Sequence, residues 1–159
     1  MNKITAQKVV RLFRRNKPKT AQEIRELGIP IHWAGSGVFR SAYKIRGLSI
    51  IIKTPRVGDS TLSASLRHAA VEIKNFKKLR GKKYKRVHRF LPKIYYVNEK
   101  NGIMVMRKYR LGNYSEDALD HPLFLKILGK NATGDLHSRN IARSGKQLKI
   151  IDLGFRVRK

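Results

Sequence analysis

The sequence predicts an α+β fold, and three observations carry that prediction. Short strand-like runs recur before residue 107. One long amphipathic stretch follows the third of them. A compact hairpin pattern stands late in the chain, at Ile141-Ala142 and Leu148 to Ile151, with Ser144-Gly145 as its turn. Such alternation of strand runs with one isolated helix fits a sheet with helices segregated beside it.

In chain order, residues 4 to 16 place Ile4, Val9, Val10, Leu12 and Phe13 among basic residues, a short amphipathic helix. Lys17-Pro18-Lys19 breaks it. Thr20 and Glu23 have capping-box spacing, so a second helix runs to Leu27 and Gly28 ends it. These helices make a 1–30 extension, expected as a brace on the sheet rather than a stub of a helix-turn-helix. From Ile31 to Ile45, apolar strand residues flank Gly35, Ser36 and Gly37. Glycines there let a hairpin tip turn its N–H groups toward phosphate. A third strand follows, Leu48 to Lys53.

Residues 61 to 80 read as a helix with Leu62, Leu66, Ala69, Ile73 and Phe76 on one buried stripe, and Glu72 on its edge. A carboxylate there calls for a cation. Gly81 to Arg89 is the densest basic run, expected as a solvated loop, with Tyr84 inside it as nucleic-acid patches often have. Leu91 to Val97 and Ile103 to Met106 complete five strands, with a turn at Asn98 to Gly102. Glu116 to Leu128 can form one more helix, with Pro122 near its start or breaking it.

The chemistry concentrates in Gly134 to Gly154. The late hairpin brings Asn140, just before its first strand, close to Asp152, just after its second. A carboxylate and an amide oxygen held together are hard ligands that suit Mg²⁺. Asp135 projects from the preceding loop as a candidate base. The five histidines show no close pair at zinc-ligand spacing.

The spacing Asp135-x-x-x-x-Asn140, followed by Asp152-Leu153-Gly154 after an apolar pair, resembles the protein-kinase-like superfamily. GDLHSRN is nearest in wording to RIO kinases and aminoglycoside-phosphotransferase-like kinases. The resemblance covers roughly Trp33 to Phe155. It implies a five-stranded antiparallel N-lobe (31–109) with an αC helix, and a truncated C-lobe (110–159). It further implies that Gly35, Ser36, Gly37 and Lys53 hold the phosphates of ATP, with Glu72 paired to Lys53. Met106 takes the gatekeeper position, Arg107, Lys108 and Tyr109 form the adenine hinge, Asp135 meets the acceptor hydroxyl, and Asn140 and Asp152 bind Mg²⁺. Two positions depart from the family pattern: Thr133 replaces a histidine and Arg40 replaces the third loop glycine. The chain stops five residues after Gly154, so the resemblance implies no activation segment, and a partner chain could complete the C-lobe. Such brevity suggests a bacterial virus or a bacterial accessory gene.

Composition adds the partner class. The chain has 159 residues, 41% of them hydrophobic, enough for one domain with a core. It lacks cysteine, which removes disulfide and thiolate-metal chemistry. No apolar run approaches the roughly 18 residues of a membrane span, and no leader pattern opens the chain; a cytoplasmic protein without a membrane partner is expected. The net charge of +27 makes nucleic acid or a ribonucleoprotein an expected partner. Two functions follow: an ATP- and Mg²⁺-dependent kinase, with a protein serine or threonine favoured over a small-molecule hydroxyl, or a basic binding module that reuses the fold with little or no catalysis. Transfer of labelled phosphate from ATP separates them.

Overall fold

The computed structural model describes residues 4–57, 62–112 and 140–152. It has the α+β class expected, with helices beside a five-stranded antiparallel sheet. The chain divides into two compact units, 1–70 with 93–108, and 71–92 with 109–159.

In the first unit, α1 (Ala6–Asn16) starts at Thr5, whose hydroxyl accepts from the Lys8 N–H at 3.2 Å. It ends at Lys17, which takes a left-handed conformation (φ 47°) and donates its N–H to the Phe13 carbonyl. The Asn101 side chain donates to the carbonyl of Lys17 at 3.0 Å. α2 (Ala21–Glu26) carries the expected cap. The Glu23 N–H bonds to the Thr20 hydroxyl at 3.1 Å, while the Glu23 carboxylate reaches past Thr20 to the Lys19 N–H at 2.9 Å. Gly28, at φ 73°, turns the chain out of the helix.

The sheet follows: β1 (Ile31–Ser36), β2 (Arg40–Ile45), β3 (Ile50–Pro55), β4 (Ile94–Asn98) and β5 (Ile103–Arg107), in spatial order β1-β2-β3-β5-β4. Every pairing is antiparallel. One face buries Ile50, Ile52, Ile103 and Val105 against Val9, Phe13 and Ile24. The first two helices are thus a brace built into the sheet's own core. Phe13 meets Tyr96 edge-on at 5.5 Å. Alternation along the strands sends Ile51, Lys53, Met104 and Met106 to the opposite face.

α3 (Leu62–Leu79) follows β3 as expected and buries Ala69, Ile73 and Phe76 of the expected stripe, while the start of the stripe and the place of Glu72 differ. Leu62 is exposed and Leu66 only half-buried, while Ser65, Ala69, Glu72, Phe76 and Leu79 are buried. Steps of four and three through these positions put Glu72 inside the stripe rather than on its edge.

In the second unit, Lys82–Phe90 is not the expected loop: two short 3₁₀ turns run together there, kinked at Tyr84. Val87 anchors them by burial, and the Arg80 guanidinium bonds the Pro92 carbonyl at 2.8 Å. A three-stranded sheet, β6 (Arg110–Leu111), β7 (Ile141–Ser144) and β8 (Gln147–Ile150), packs on these turns. The Lys149 ammonium donates to the Arg89 carbonyl. β6 was not anticipated, being only two residues long. The hairpin turn falls one residue later than expected, at Gly145-Lys146, because Ser144 pairs with Gln147. Gly145 supplies the positive φ of 60° that this two-residue turn demands. The helix expected over Glu116 to Leu128 lies outside the described residues.

Candidate functional site

Lys53 stands within β3, two residues before its end, and is only 8% exposed. It is directly opposed to Ala42 on β2 and to Met104 on β5. The same row continues outward from Ala42 to Gly35 on β1. On the β1 side of Lys53 the row therefore carries almost no side-chain bulk. A Cβ placed on Gly35 would meet nothing within 4 Å. The sheet face bearing Lys53 thus has a shallow strip leading to the Gly35–Gly37 tip. Local sequence contributes: β-branched Ile50, Ile51, Ile52 and Thr54 favour the strand β3, and the small residues Ala42 and Gly35 stand in the row beside Lys53.

The tip is partly closed on itself. The Gly37 N–H donates to the Arg40 carbonyl at 2.9 Å, so this donor is committed to the turn. Arg40, at the position of the absent third glycine, is 5% exposed, and its guanidinium donates to the Gly102 carbonyl in the β4–β5 turn. At the far end of β5, Met106 is buried. The Arg107 N–H donates to the Lys93 carbonyl at 2.8 Å and the Lys108 N–H to the Ser49 carbonyl at 2.9 Å. Both donors serve the sheet, and a ligand at this strand end would have to use other groups.

Glu72 is fully buried in α3, within the second unit. A carboxylate and an ammonium at such depth each need compensation, and both Glu72 and Lys53 are engaged in interactions. The β7–β8 hairpin brings Asn140 and Asp152 together in the way expected. Ile141 pairs with Ile150, and the Ile151 N–H donates to the Asn140 carbonyl at 2.8 Å, leaving Asn140 and Asp152 at the open end of the hairpin. Both are half-buried. Among the described residues no group of three or more His, Cys, Asp or Glu gathers as a metal cluster. Asp135, the proposed base, lies outside the described residues.

The strongest charge feature is also in the second unit. Lys74, Lys77, Lys78, Arg80, Lys82, Lys83, Lys85, Arg86 and Arg89 are all exposed, and no carboxylate occurs in the sequence between Glu72 and Glu99. The 3₁₀ turns hold this run as a shaped surface.

Two functional features escaped the sequence reading. One is the Arg40–Gly102 bond, which joins residues 62 apart and has no local signature. The other is an aromatic pair at the sheet edge, Trp33 and Tyr43, with ring centroids 5.8 Å apart and planes at 80°. Their directly opposed positions across β1 and β2 could have been found by pairing the two strands around Gly37, but only with the β-bulge between Trp33 and Gly35 taken into account. No protein-family model matches the chain, and no curated protein matches it. Among the described residues no helix is long and apolar enough to cross a membrane.

Proposed function

We propose that the protein is an ATP- and Mg²⁺-dependent phosphotransferase of minimal kinase-like fold, with a protein serine or threonine hydroxyl as acceptor. The observation that supports this reading best is the row Gly35, Ala42, Lys53: a buried lysine beside a strip of small residues on one sheet face. That strip suits a flat base and its phosphates. Lys53 then neutralises phosphate charge, and Glu72 is the carboxylate assigned to hold Lys53 in place. Asn140 and Asp152 offer the hard oxygens that Mg²⁺ takes, with phosphate and water oxygens completing its shell. When bound, Mg²⁺ neutralises charge on the β- and γ-phosphates. Asp135 orients the acceptor hydroxyl and accepts its proton as the γ-phosphoryl group moves from ATP to the acceptor oxygen and ADP leaves.

A second reading is favoured by one specific feature, the exposed run of cations from Lys74 to Arg89: the protein also meets a polyanion, nucleic acid or a ribonucleoprotein. The two readings are compatible. The purified chain is incubated with γ-labelled ATP, Mg²⁺ and acidic or basic acceptor proteins. Label on the acceptor or on the chain itself supports the phosphotransferase. No label on any acceptor, with nucleotide binding intact, leaves a nucleotide-binding module with a polyanion surface as the better account.

A further inference from the structure

We propose that the end of the sheet where Trp33 of edge strand β1 meets the β2–β3 turn is a binding site for single-stranded nucleic acid, in which an unpaired base stacks on Trp33 and the neighbouring phosphates lie against Lys44, Arg46 and Lys108. The inference rests on the polyanion part of the reading above, does not require phosphoryl transfer, and uses the side chain of Lys108, whose N–H is already bonded to the Ser49 carbonyl. Trp33 is the one tryptophan of the chain and is 55% exposed, on the edge strand of the sheet. It is nonetheless held: Tyr43 meets it edge-on, and the Arg25 guanidinium lies 6.0 Å from the centre of the Tyr43 ring. An indole fixed in this way loses little freedom on binding, which favours a partner with a π-face.

A cavity of about 740 Å³ opens beside it, lined by His32, Trp33, Lys44, Arg46 and Lys108 among others, and no carboxylate is among its lining residues. His32, Lys44, Arg46 and Lys108 are all exposed. Aromatic platform and cations together are what a single strand requires: the base supplies the face, and the backbone supplies a negative charge on either side. A duplex keeps its base faces covered by neighbouring pairs, so the platform selects unpaired nucleotides. The cavity lies where β2 turns into β3 and gathers residues from both faces of the sheet, since Lys44 is opposed to Ile51. Trp33 is opposed to Tyr43, and Tyr43 to Ile52, whereas the row through Gly35 runs to Lys53 on the other face.

Because Trp33 is the sole tryptophan, its fluorescence reports this site alone. The full chain is titrated with an oligothymidylate of roughly 12 nucleotides, within the site sizes common for single strands. Saturable quenching is expected, with log affinity falling against log salt at a slope of about −2, the value for three phosphates at roughly 0.7 each. The double variant Lys44→Ala/Arg46→Ala, both positions exposed, should cut that slope by about 1.4. Substituting Lys82, Lys83, Lys85 and Arg86 by alanine should leave the quenching amplitude at saturation unchanged. Trp33→Leu, followed by anisotropy of a labelled strand, should bind roughly tenfold more weakly or worse, while Trp33→Phe retains most of the affinity. Three results would overturn the proposal. The first is equal quenching by inorganic polyphosphate, which makes the site a simple anion patch. The second is equal quenching by Mg-ATP in competition with the strand, which makes it a mononucleotide site. The third is strand binding by anisotropy with Trp33 fluorescence unmoved, which puts the strand elsewhere.

Discussion

Lys53 and Ala42 are directly opposed across β3 and β2, and Ala42 is opposed in turn to Gly35. If a nucleotide lies along this row, bulk at Ala42 should exclude it without touching any charge. Ala42→Leu should therefore abolish most of the thermal stabilisation that Mg-ATP gives, as Lys53→Ala should by removing the phosphate contact. Ligand stabilisation follows RT ln(1 + [L]/Kd), about 2.7 kcal/mol at a hundredfold excess over Kd. Calorimetry or dye melting with and without Mg-ATP reads it. Equal shifts in wild type and both variants would place any nucleotide away from this row.

The row was only half legible in the sequence. Lys53 could be placed because an apolar strand leads to it, and Gly35 because a glycine pair between strands marks a tip. Ala42 was silent, since a small residue in a strand carries no pattern of its own. Trp33 was harder still. Strict alternation puts it on the same face as Gly35, and therefore on the face of Lys53. The bulge flips it to the face of Tyr43 and Ile52, because one extra residue reverses every side chain beyond it. The late hairpin was readable because its period and turn glycine agree; its turn moved by one residue because pairing continued to Ser144 and Gln147.

Gly102 tests the packing at the other end of the sheet. Its φ is 63°, and a Cβ there would stand 2.8 Å from both the Ala69 Cβ and the Pro55 Cγ, neither of which is the end of a flexible chain. Gly102→Ala should cost about 2–5 kcal/mol, the sum of overpacking and left-handed strain. Gly145 has a similar φ of 60° but open space around its would-be Cβ, so Gly145→Ala should cost only the strain, about 1–2 kcal/mol. Urea unfolding of the two variants reads the difference. Equal losses would mean that the clash relaxes, and the close approach at Gly102 would then carry no stability.

The start of the helix stripe, the place of Glu72 and the basic run differ from expectation for a common reason. Sequence periodicity assigns apolar residues to the buried side, yet α3 buries Ser65, Glu72 and Asn75 while exposing Leu62. Buried Glu72 and Asn75 are engaged in interactions, and apolar periodicity carries no sign of these. Arg40 is the same case: as a residue type it looks like the other cations of this basic chain, and only its distant partner Gly102 explains its burial. The run Lys82–Phe90 looked like a loop because its charges mask the single apolar anchor, Val87.

That run yields a prediction about salt. With Lys82, Lys83, Lys85 and Arg86 exposed on the 3₁₀ turns, nucleic-acid affinity measured by anisotropy should fall steeply with ionic strength and vary little with sequence. Replacing the four by alanine should flatten the slope for a duplex, which the Trp33 platform does not take, by up to roughly 3.6, at about 0.9 per phosphate. A slope unchanged by all four would remove these turns from the polyanion surface and leave the charge elsewhere on the chain.

The sharpest contrast lies between Asp135 and Asn140. In the proposed chemistry Asp135 meets the acceptor hydroxyl and has no part in holding the nucleotide. Asp135→Ala should keep the Mg-ATP thermal shift and lose phosphoryl transfer by roughly 10²–10⁴, the size of a positioned base. Asn140 stands at the mouth of the β7–β8 hairpin with Asp152, and its side-chain oxygen is assigned to Mg²⁺. Asn140→Ala should therefore weaken the Mg²⁺ dependence of binding as well as turnover. The hairpin itself should survive, because the bond joining its open end runs from the Ile151 N–H to the backbone carbonyl of Asn140, which the substitution leaves in place. A Mg²⁺ titration of the nucleotide-induced melting shift, run beside the transfer assay, separates the two variants. A misfolded protein would lose binding in both cases, so the contrast itself carries the test. Transfer by Asp135→Ala at the wild-type rate would remove that residue from the chemistry. An unchanged Mg²⁺ midpoint in Asn140→Ala would remove the hairpin mouth from the metal site.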